Sequence, residues 1–456
     1  MNRWGLTSFA CFMLASSVVA QWQSVAGGVS HQLRAFWNDT INDRLLVSGN
    51  FPFAQGGALR VNNIAWWDGT SWSGEGLANG NGNQLEFGTT DPIYSVVMRG
   101  DTVFAGHGGI IWHDQFDMGY ATMLVNGEWL PCAEPNGTLF FLEENGRMFS
   151  GGVHDTLYHA YAPGIHEWRN GAFGDIPNMP FSHPVHVYDV EYWHDQYFFG
   201  GIFSAFGCTR IVAFDGVNQW SGLGEGVGGY YIGNVCGYGD SLYVGGFLQD
   251  GPNVQSQHIQ LWDGSAWKPF FPQVRFEGAV WDIQVHDGVL YVSGYHFWLG
   301  DPTGYGLLRY DGHQLCSIGG PVGGDVGKIA FYHGDLYQSN NYIPGLEQEW
   351  IGRLPLEGLV PDHCADVGPN AIRETAANQA LTVYPNPASA QLSLQLPQGM
   401  LTAQILVLDA IGRAVMERTV APTDRPALTV QELPPGTYTV QCMANGVRYL
   451  GRFVKL

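Results

Sequence analysis

Lysine is almost missing. The 456 residues hold three, Lys268, Lys328 and Lys455, and charged side chains of every kind make up only 13% of the chain. Basic residues number 20 against 41 acidic ones, and the imbalance falls before the tail: residues 1–380 carry 14 basic and 37 acidic side chains, a formal −23. A surface so poor in cations has no footprint for a phosphate backbone, which argues against nucleic acid as a partner. An anionic membrane surface repels it for the same reason. Low charge does not mean disorder here, because disordered chains are also poor in aromatics, and this one is 14% aromatic with 63 glycines. After residue 20 no apolar run approaches the length of a membrane span. There is no H-E-x-x-H, close Cys-His spacing or calcium loop, so no metal or other cofactor is expected. Nor is there a G-x-S-x-G elbow or a phosphate loop. What remains is a loop-rich β protein too long for one core.

The first residues, MNRWGLTSFACFMLASSVVAQ, set Arg3 ahead of an apolar run and small residues at Val18 and Ala20. That is the layout of a secretory signal over 1–20, cleaved after Ala20. Export permits disulfides. Cys11 leaves with the signal, and the six remaining cysteines have about 15 possible pairings. Cys316–Cys364 is the first expectation, since it would pin the segment that leaves the repeats, and Cys208–Cys236 is the second. Cys132 and Cys442 are expected in different domains as small buried hydrophobes.

A strand ending in small residues recurs seven times: LLVSG (45–49), VFAGH (103–107), MFSGG (148–152), YFFGG (197–201), LYVGG (242–246), LYVSG (290–294) and LYQSN (336–340). A turn bearing Asp-Gly or Asn-Gly follows in step, as in WWDGTSW (66–72), LVNGEW (124–129), AFDGVNQW (213–220) and LWDGSAW (261–267). Such dipeptides between apolar residues signal hairpins with type I′ turns. An alternating segment such as IYSVVMRGD (93–101) or VWDIQVHDG (280–288) precedes each glycine-ended strand. Four short antiparallel strands per unit of about 45 residues is the blade of a β-propeller. Trp72, Trp129, Trp220 and Trp267 are large enough to wedge neighbouring blades apart. The seventh copy lacks a tryptophan-bearing last strand, whereas WQSVAGGV (22–29) resembles such a strand with no hairpin before it. Pairing Trp22–Val29 into the last blade closes a ring of seven.

The repeats resemble the WDG-type propeller repeats of bacterial surface proteins and of the fungal cell-polarity marker family, and more distantly kelch repeats, over roughly residues 22–360. The tail resembles the C-terminal sorting domain of the type IX secretion system of Bacteroidota. Tyr384-Pro385-Asn386-Pro387 matches its opening, LDAIGR with Gly412 its middle, and Pro435-Gly436-Thr437-Tyr438 with Arg452-Phe453-Val454-Lys455 its end. The resemblance implies delivery by the type IX machinery, removal of the tail, and release or attachment outside the outer membrane. The expected organisation is all-β: signal 1–20, seven-bladed propeller 21–360, linker 361–380, and a small Ig-like sandwich at 381–456.

Function should lie in what differs between units. Loops between the second and third strands vary most, and they carry Trp112, His113, Asp114, His154, Asp155, Tyr158, His159, His296, Trp298 and Asp301. Aromatic platforms edged by carboxylates and imidazoles suit sugars, because rings stack on apolar sugar faces while polar groups fix hydroxyls. The leading expectation is a non-catalytic, exported protein binding glycans or surface proteins through this face. The alternatives are a secreted carbohydrate-active enzyme, a galactose-oxidase-like copper oxidase, or a structural part of a surface assembly.

Overall fold

A computed structural model of the chain describes residues 22–77, 92–113, 116–132, 140–151, 165–181, 185–248, 258–324, 326–339, 343, 345–346, 348–367, 379–395, 403–408, 414–420, 427–444 and 447–456. It forms two compact units, Met1–Gly368 and Pro369–Leu456, and is all-β: among the described residues the helical part is one 3-10 turn, Gln55–Gly57.

In the first unit each repeat is one antiparallel sheet. The first sheet runs Leu33–Asp39, Arg44–Gly49, Ile64–Trp67, Trp72–Ser73, and the second Ile93–Arg99, Thr102–His113, Phe116–Val125, Glu128–Pro131. The third holds Phe140–Glu144, Arg147–Gly151, His166–Arg169 and Ala172–Asp175, the fourth His186–Trp193, Gln196–Ala205, Cys208–Phe214 and Trp220–Gly222. The fifth is Gly229–Tyr238, Ser241–Leu248, Ile259–Trp262 and Trp267–Pro269. The sixth is built on Asp282–His286, Val289–Trp298, Gly304–Tyr310 and Gln314–Pro321, and the seventh on Ile329–Tyr332, Asp335–Ser339 and Ile351–Pro355. The leading strand of each sheet packs on the leading strand of the next, and that of the seventh returns to Leu33–Asp39. The leading strands therefore form a closed circuit.

Gly200 and Gly245 lie inside second strands that run on to Ala205 and Leu248, and they show why small residues recur there. A Cβ at Gly200 would lie 2.5 Å from a methyl of Ile232, and one at Gly245 would lie 2.6 Å from a methyl of Val280. In both places the leading strand of the following sheet occupies the room a side chain would need. The tryptophans fasten the same joints farther out. Trp129 Nε1 donates to Leu77 O at 2.9 Å, Trp220 to Pro177 O at 2.9 Å and Trp267 to Leu223 O at 2.8 Å, each acceptor lying just past the last strand of the preceding sheet.

The first sheet obeys the same rule through the chain's beginning. Trp72 Nε1 donates to Val25 O at 2.7 Å, while Gln23 and Arg353 exchange backbone bonds of 2.7 and 3.0 Å. Residues near Gln23 thus stand where the seventh sheet lacks a last strand. Trp22 is buried among Leu307, Ile318, Leu336 and Leu354.

Turn geometry departs from the type I′ expectation at the Asp-Gly turns between third and fourth strands. Asn126-Gly127, Asn145-Gly146, Asn170-Gly171 and Asp287-Gly288 do have φ > 0 at both residues. At Asp68, Asp263 and Asp311 only the following glycine is left-handed, and the aspartate spends its side chain instead. Asp68 Oδ1 accepts Thr70 N and Ser71 N at 2.8 and 2.7 Å, and Asp263 Oδ1 accepts Ser265 N and Ala266 N at 2.8 Å each. These are four-residue loops capped by a carboxylate, a task asparagine in a two-residue turn does not perform.

Cys316 and Cys364 form a disulfide across paired strands, because His363–Asp366 adds an outer strand to the sixth sheet. The segment expected as linker from 361 therefore still belongs to the first unit at its start. The Cys208–Cys236 pairing is corrected: both are free, buried thiols. Cys208 faces its own sheet, with its thiol directed at Ile211 O at 3.0 Å, and Cys236 packs in a core cluster with Tyr243 and Ile283.

The tail unit has two sheets, one containing Ala403–Leu408, Ala414–Val420, Gly436–Ala444 and Val447–Lys455, the other Thr382–Tyr384, Gln391–Gln395 and Ala427–Thr429. They share a core that includes Leu392, Leu394, Ile405, Val440 and Phe453. Asn386 clasps the last strand from both directions, with Nδ2 donating to Arg452 O at 3.0 Å and Oδ1 accepting Val454 N at 2.9 Å. Tyr438 stacks on Phe453 and donates its hydroxyl to Pro434 O at 2.8 Å.

Candidate functional site

The seven leading strands enclose a cavity of about 850 Å³. Its chemistry is set by one repeating position, four residues before each leading strand meets its hairpin: Ala35, Ser95, Phe140, Asp189, Asn234, Asp282 and Lys328. A polar group at the centre of an apolar strand needs a partner. Here the neighbouring sheet supplies it. Ser95 Oγ accepts Phe141 N at 2.9 Å, Asp189 Oδ2 accepts Val235 N at 2.7 Å, and Asp282 Oδ2 accepts Ile329 N at 2.9 Å. Two residues on, Glu191 Oε1 accepts Gly237 N at 2.7 Å.

Lys328 reaches across this level, donating to Asn234 Oδ1 at 2.8 Å and standing 3.5 Å from Asp282 Oδ1. The result is a polar floor. Burial pushes the Asp189 carboxyl up to about 7, against the pull of Lys328 and of the N–H bonds from Val235 and Val190. Burial also raises Glu191 to about 8, with Glu144 and Asp189 adding repulsion, and raises Glu144 to about 7 with Glu143 adding to it. Three of the carboxyls around the cavity are thus substantially protonated near neutrality.

Aromatic rings form an arc along the wall. Tyr94 meets Phe140 at 6.3 Å, Phe140 meets Tyr188 at 5.2 Å and Tyr188 meets Tyr231 at 5.7 Å, all edge to face. Register shifts just before Ala35, Ser95 and Asp189 insert Arg34, Tyr94 and Tyr188 as bulged residues, and all three line the cavity. A bulge re-aims a side chain, which is how one strand position supplies an arc. Arg34 lies over the Tyr94 ring at 5.0 Å, and Trp281 lines the wall opposite the start of the arc. A bowl with flat apolar walls and a floor of hydroxyl-matching donors and acceptors can hold a small polyhydroxylated ring.

The loop-face expectation fares differently residue by residue. Asp114, His154, Asp155, Tyr158 and His159 lie outside the described residues. Trp112 and His113 are not in an open loop: the backbone at 102–113 and 116–125 pairs as one hairpin, with His113 opposite Phe116. His296 and Trp298 are corrected from ligand positions to core ones. The added strand Val274–Phe276 pairs over them, and both donate toward or contact Ser317 Oγ at 2.7 Å. Burial drives the His296 imidazole down to about 4, so it stays neutral. Trp298 also stacks on His363 at 4.3 Å, and Asp301 caps Thr303 N at 2.9 Å while facing His363 Nδ1 at 3.6 Å. Trp298 shares Ser317 with His296 and His363 with Asp301, in a joint around the disulfide strand, and none of the three lines the large cavity.

The cavity residues were missed although each left a mark. Tyr94-Ser95-Val96, Tyr188-Asp189-Val190, Gly233-Asn234-Val235 and Trp281-Asp282-Ile283 repeat a polar residue in the middle of an otherwise apolar strand, in phase with the units. Phase, more than residue type, is the signal.

The fold and the tail define the class first: an all-β body of successive antiparallel sheets followed by an export tail. Residues 382–455 match the family described as the secretion system C-terminal sorting domain. The sorting tail marks a secreted or cell-surface protein and implies the type IX secretion machinery as a partner. No helix among the described residues is long and apolar enough to cross a membrane. No curated protein matches the chain. Among solved structures it is similar to YjhT, at 12% identity over 65% of this chain and 98% of that one, with a TM-score of 0.35. It is also similar to sucrose-6-phosphate hydrolase from Lactobacillus gasseri, at 12% identity over 95% and 89% with a TM-score of 0.28. A third is the GH74 xyloglucanase from Xanthomonas campestris, at 10% identity over 94% and 83% with a TM-score of 0.25. Similarity this distant assigns no activity to the chain.

Proposed function

We propose that the chain is an exported seven-bladed β-propeller with an Ig-like sorting sandwich, signal peptide 1–20, and a saccharide-binding site in its central cavity. The WDG-type repeat supplies the blades, and the sorting tail is removed on export. The observation that supports binding is the arc Tyr94–Phe140–Tyr188–Tyr231 standing over the Asp189–Asn234–Asp282–Lys328 floor. Glycan-array screening of the purified chain followed by calorimetry tests it. Tyr188→Ala should weaken the best saccharide ligand about tenfold or more, as loss of one stacking ring does. Retention of full affinity by that variant, or an array with no saccharide ligand at all, would remove the reading.

One observation favours a second reading, a carbohydrate-active enzyme: carboxyls held protonated near neutrality, as at Glu191 and Glu144, are what a general acid requires. Release of reducing ends from a bound polysaccharide, abolished in Glu191→Gln, would install it in place of simple binding.

A further inference from the structure

Among the described residues Arg34 has no counter-charge. It stands on the leading strand of the first sheet at a bulge that turns it into the cavity, with its guanidinium over Tyr94 at 5.0 Å. Its Nε is shut off from solvent without a hydrogen-bond partner, and among the described residues no carboxylate pairs with it. The other cation of the cavity is fully engaged, since Lys328 is held by Asn234 at 2.8 Å and Asp282 at 3.5 Å. Elsewhere in the first unit Arg44, Arg147, Arg169 and Arg353 meet carboxylates, while among the described residues Arg60, Arg99, Arg210, Arg275 and Arg309 form no ion pair, so what sets Arg34 apart is its place in the cavity wall. Placed against an aromatic wall with its Nε unpartnered, Arg34 is among the described residues the cavity cation free to meet an anion, and the lining carboxyls that would repel one are blunted because burial holds Glu144, Asp189 and Glu191 up near 7, 7 and 8.

Resting on the saccharide reading above, we propose that the ligand is an acidic saccharide, whose carboxylate is taken by the Arg34 guanidinium while its ring lies along the Tyr94–Phe140–Tyr188 arc. A planar fork of N–H donors fits a planar carboxylate with two parallel bonds, and the ring of Tyr94 beneath it keeps the fork in place. Sulfate esters offer a competing source of negative charge, but their tetrahedral oxygens match the fork less well.

The test is calorimetry on the full chain with an oligogalacturonate, its methyl ester and a sulfated galactan oligosaccharide, alongside Arg34→Gln and Arg34→Lys, with melting temperatures as a fold control. The acid should bind at least about tenfold tighter than the ester, Arg34→Gln should bring that ratio close to one, and Arg34→Lys should keep part of it. Equal binding of acid and ester by the wild type would overturn the proposal, as would a sulfated ligand that binds where the uronate does not. If Arg34→Gln fails to fold, the wild-type ratio and Arg34→Lys still decide. Binding of neutral saccharides alone defeats this inference and leaves the saccharide site standing. Binding of no saccharide of any kind defeats both.

Discussion

At the scale of single residues, the floor of the cavity uses its acidic groups as ties between sheets. Asp189 and Glu191 each accept a backbone N–H from the fifth sheet, and Asp282 accepts one from the seventh. Burial holds the Asp189, Glu191 and Glu144 carboxyls near 7, 8 and 7, against ordinary values of 3.8, 4.5 and 4.5. At these three sites the folded chain therefore binds protons that the unfolded chain has released, and their contribution to stability must fall with rising pH across that window. The contribution is complete below about pH 4, is lost as pH climbs through 7 and 8, and is gone by about 9. Buried His107 and His296, held down to about 3 and 4, pull the other way below about pH 6.5, so melting temperature should drop between about pH 7 and 9, and Glu191→Gln should flatten the drop; a wild-type profile that is level or rising there would show these carboxyls ionised in the fold. Part of this was legible. The recurrence of Ser, Asp, Asn and Asp after an aromatic residue or glycine is in the sequence, but that they tie sheets through backbone N–H groups requires the neighbouring strand. His296 and Trp298 misled for the converse reason: they sit among glycines and a turn, and the strand Val274–Phe276 that covers them carries no alternation long enough to announce itself.

At the scale of elements, the hairpin units were readable because glycine-ended strands and Asp-Gly or Asn-Gly turns recur in phase. The strand His363–Asp366 was not, being four residues of HCAD with no apolar pattern. Its disulfide to Cys316 closes a 48-residue separation and fixes that strand on the edge of the sixth sheet. Cys364→Ser should lower unfolding stability by roughly 2–4 kcal/mol in urea titrations, with added proteolysis near residue 367. An unchanged midpoint would mean that backbone pairing alone holds the strand. In the tail, the separated motifs beginning at Tyr384 and ending at Lys455 are joined by the amide of Asn386. Asn386→Ala removes both bonds, which lie at the exposed edge of the last strand where water can replace them, costing about 0.5–1.5 kcal/mol. The expected consequence is less protein outside the cell and more retained behind the outer membrane, read by fractionation; normal export would separate the clasp from sorting.

At the scale of the whole first unit, stability and site share one condition. No sheet can bury both faces alone, so each depends on its neighbours, and the cavity exists only while the circuit of leading strands is complete. The chain's beginning completes it. Gln23 pairs with Arg353, Val29 pairs with Ala54, and Val25 receives the Trp72 indole in the place that Leu77, Pro177 and Leu223 hold at other joints. The sequence carries two complementary defects at the places these contacts join, a final unit without its tryptophan strand and a tryptophan strand without its unit. A segment so placed is held by the sheets on both sides of it and should not fray on its own. Native-state hydrogen exchange on the amides of Gln23, Val29 and Arg353 tests it most directly. The account predicts that all three exchange only through global unfolding, with the same protection as Val235 and Ile329 in the cavity wall. Fast exchange at Gln23 and Val29, while the wall stays protected, would contradict the closure on which the site depends.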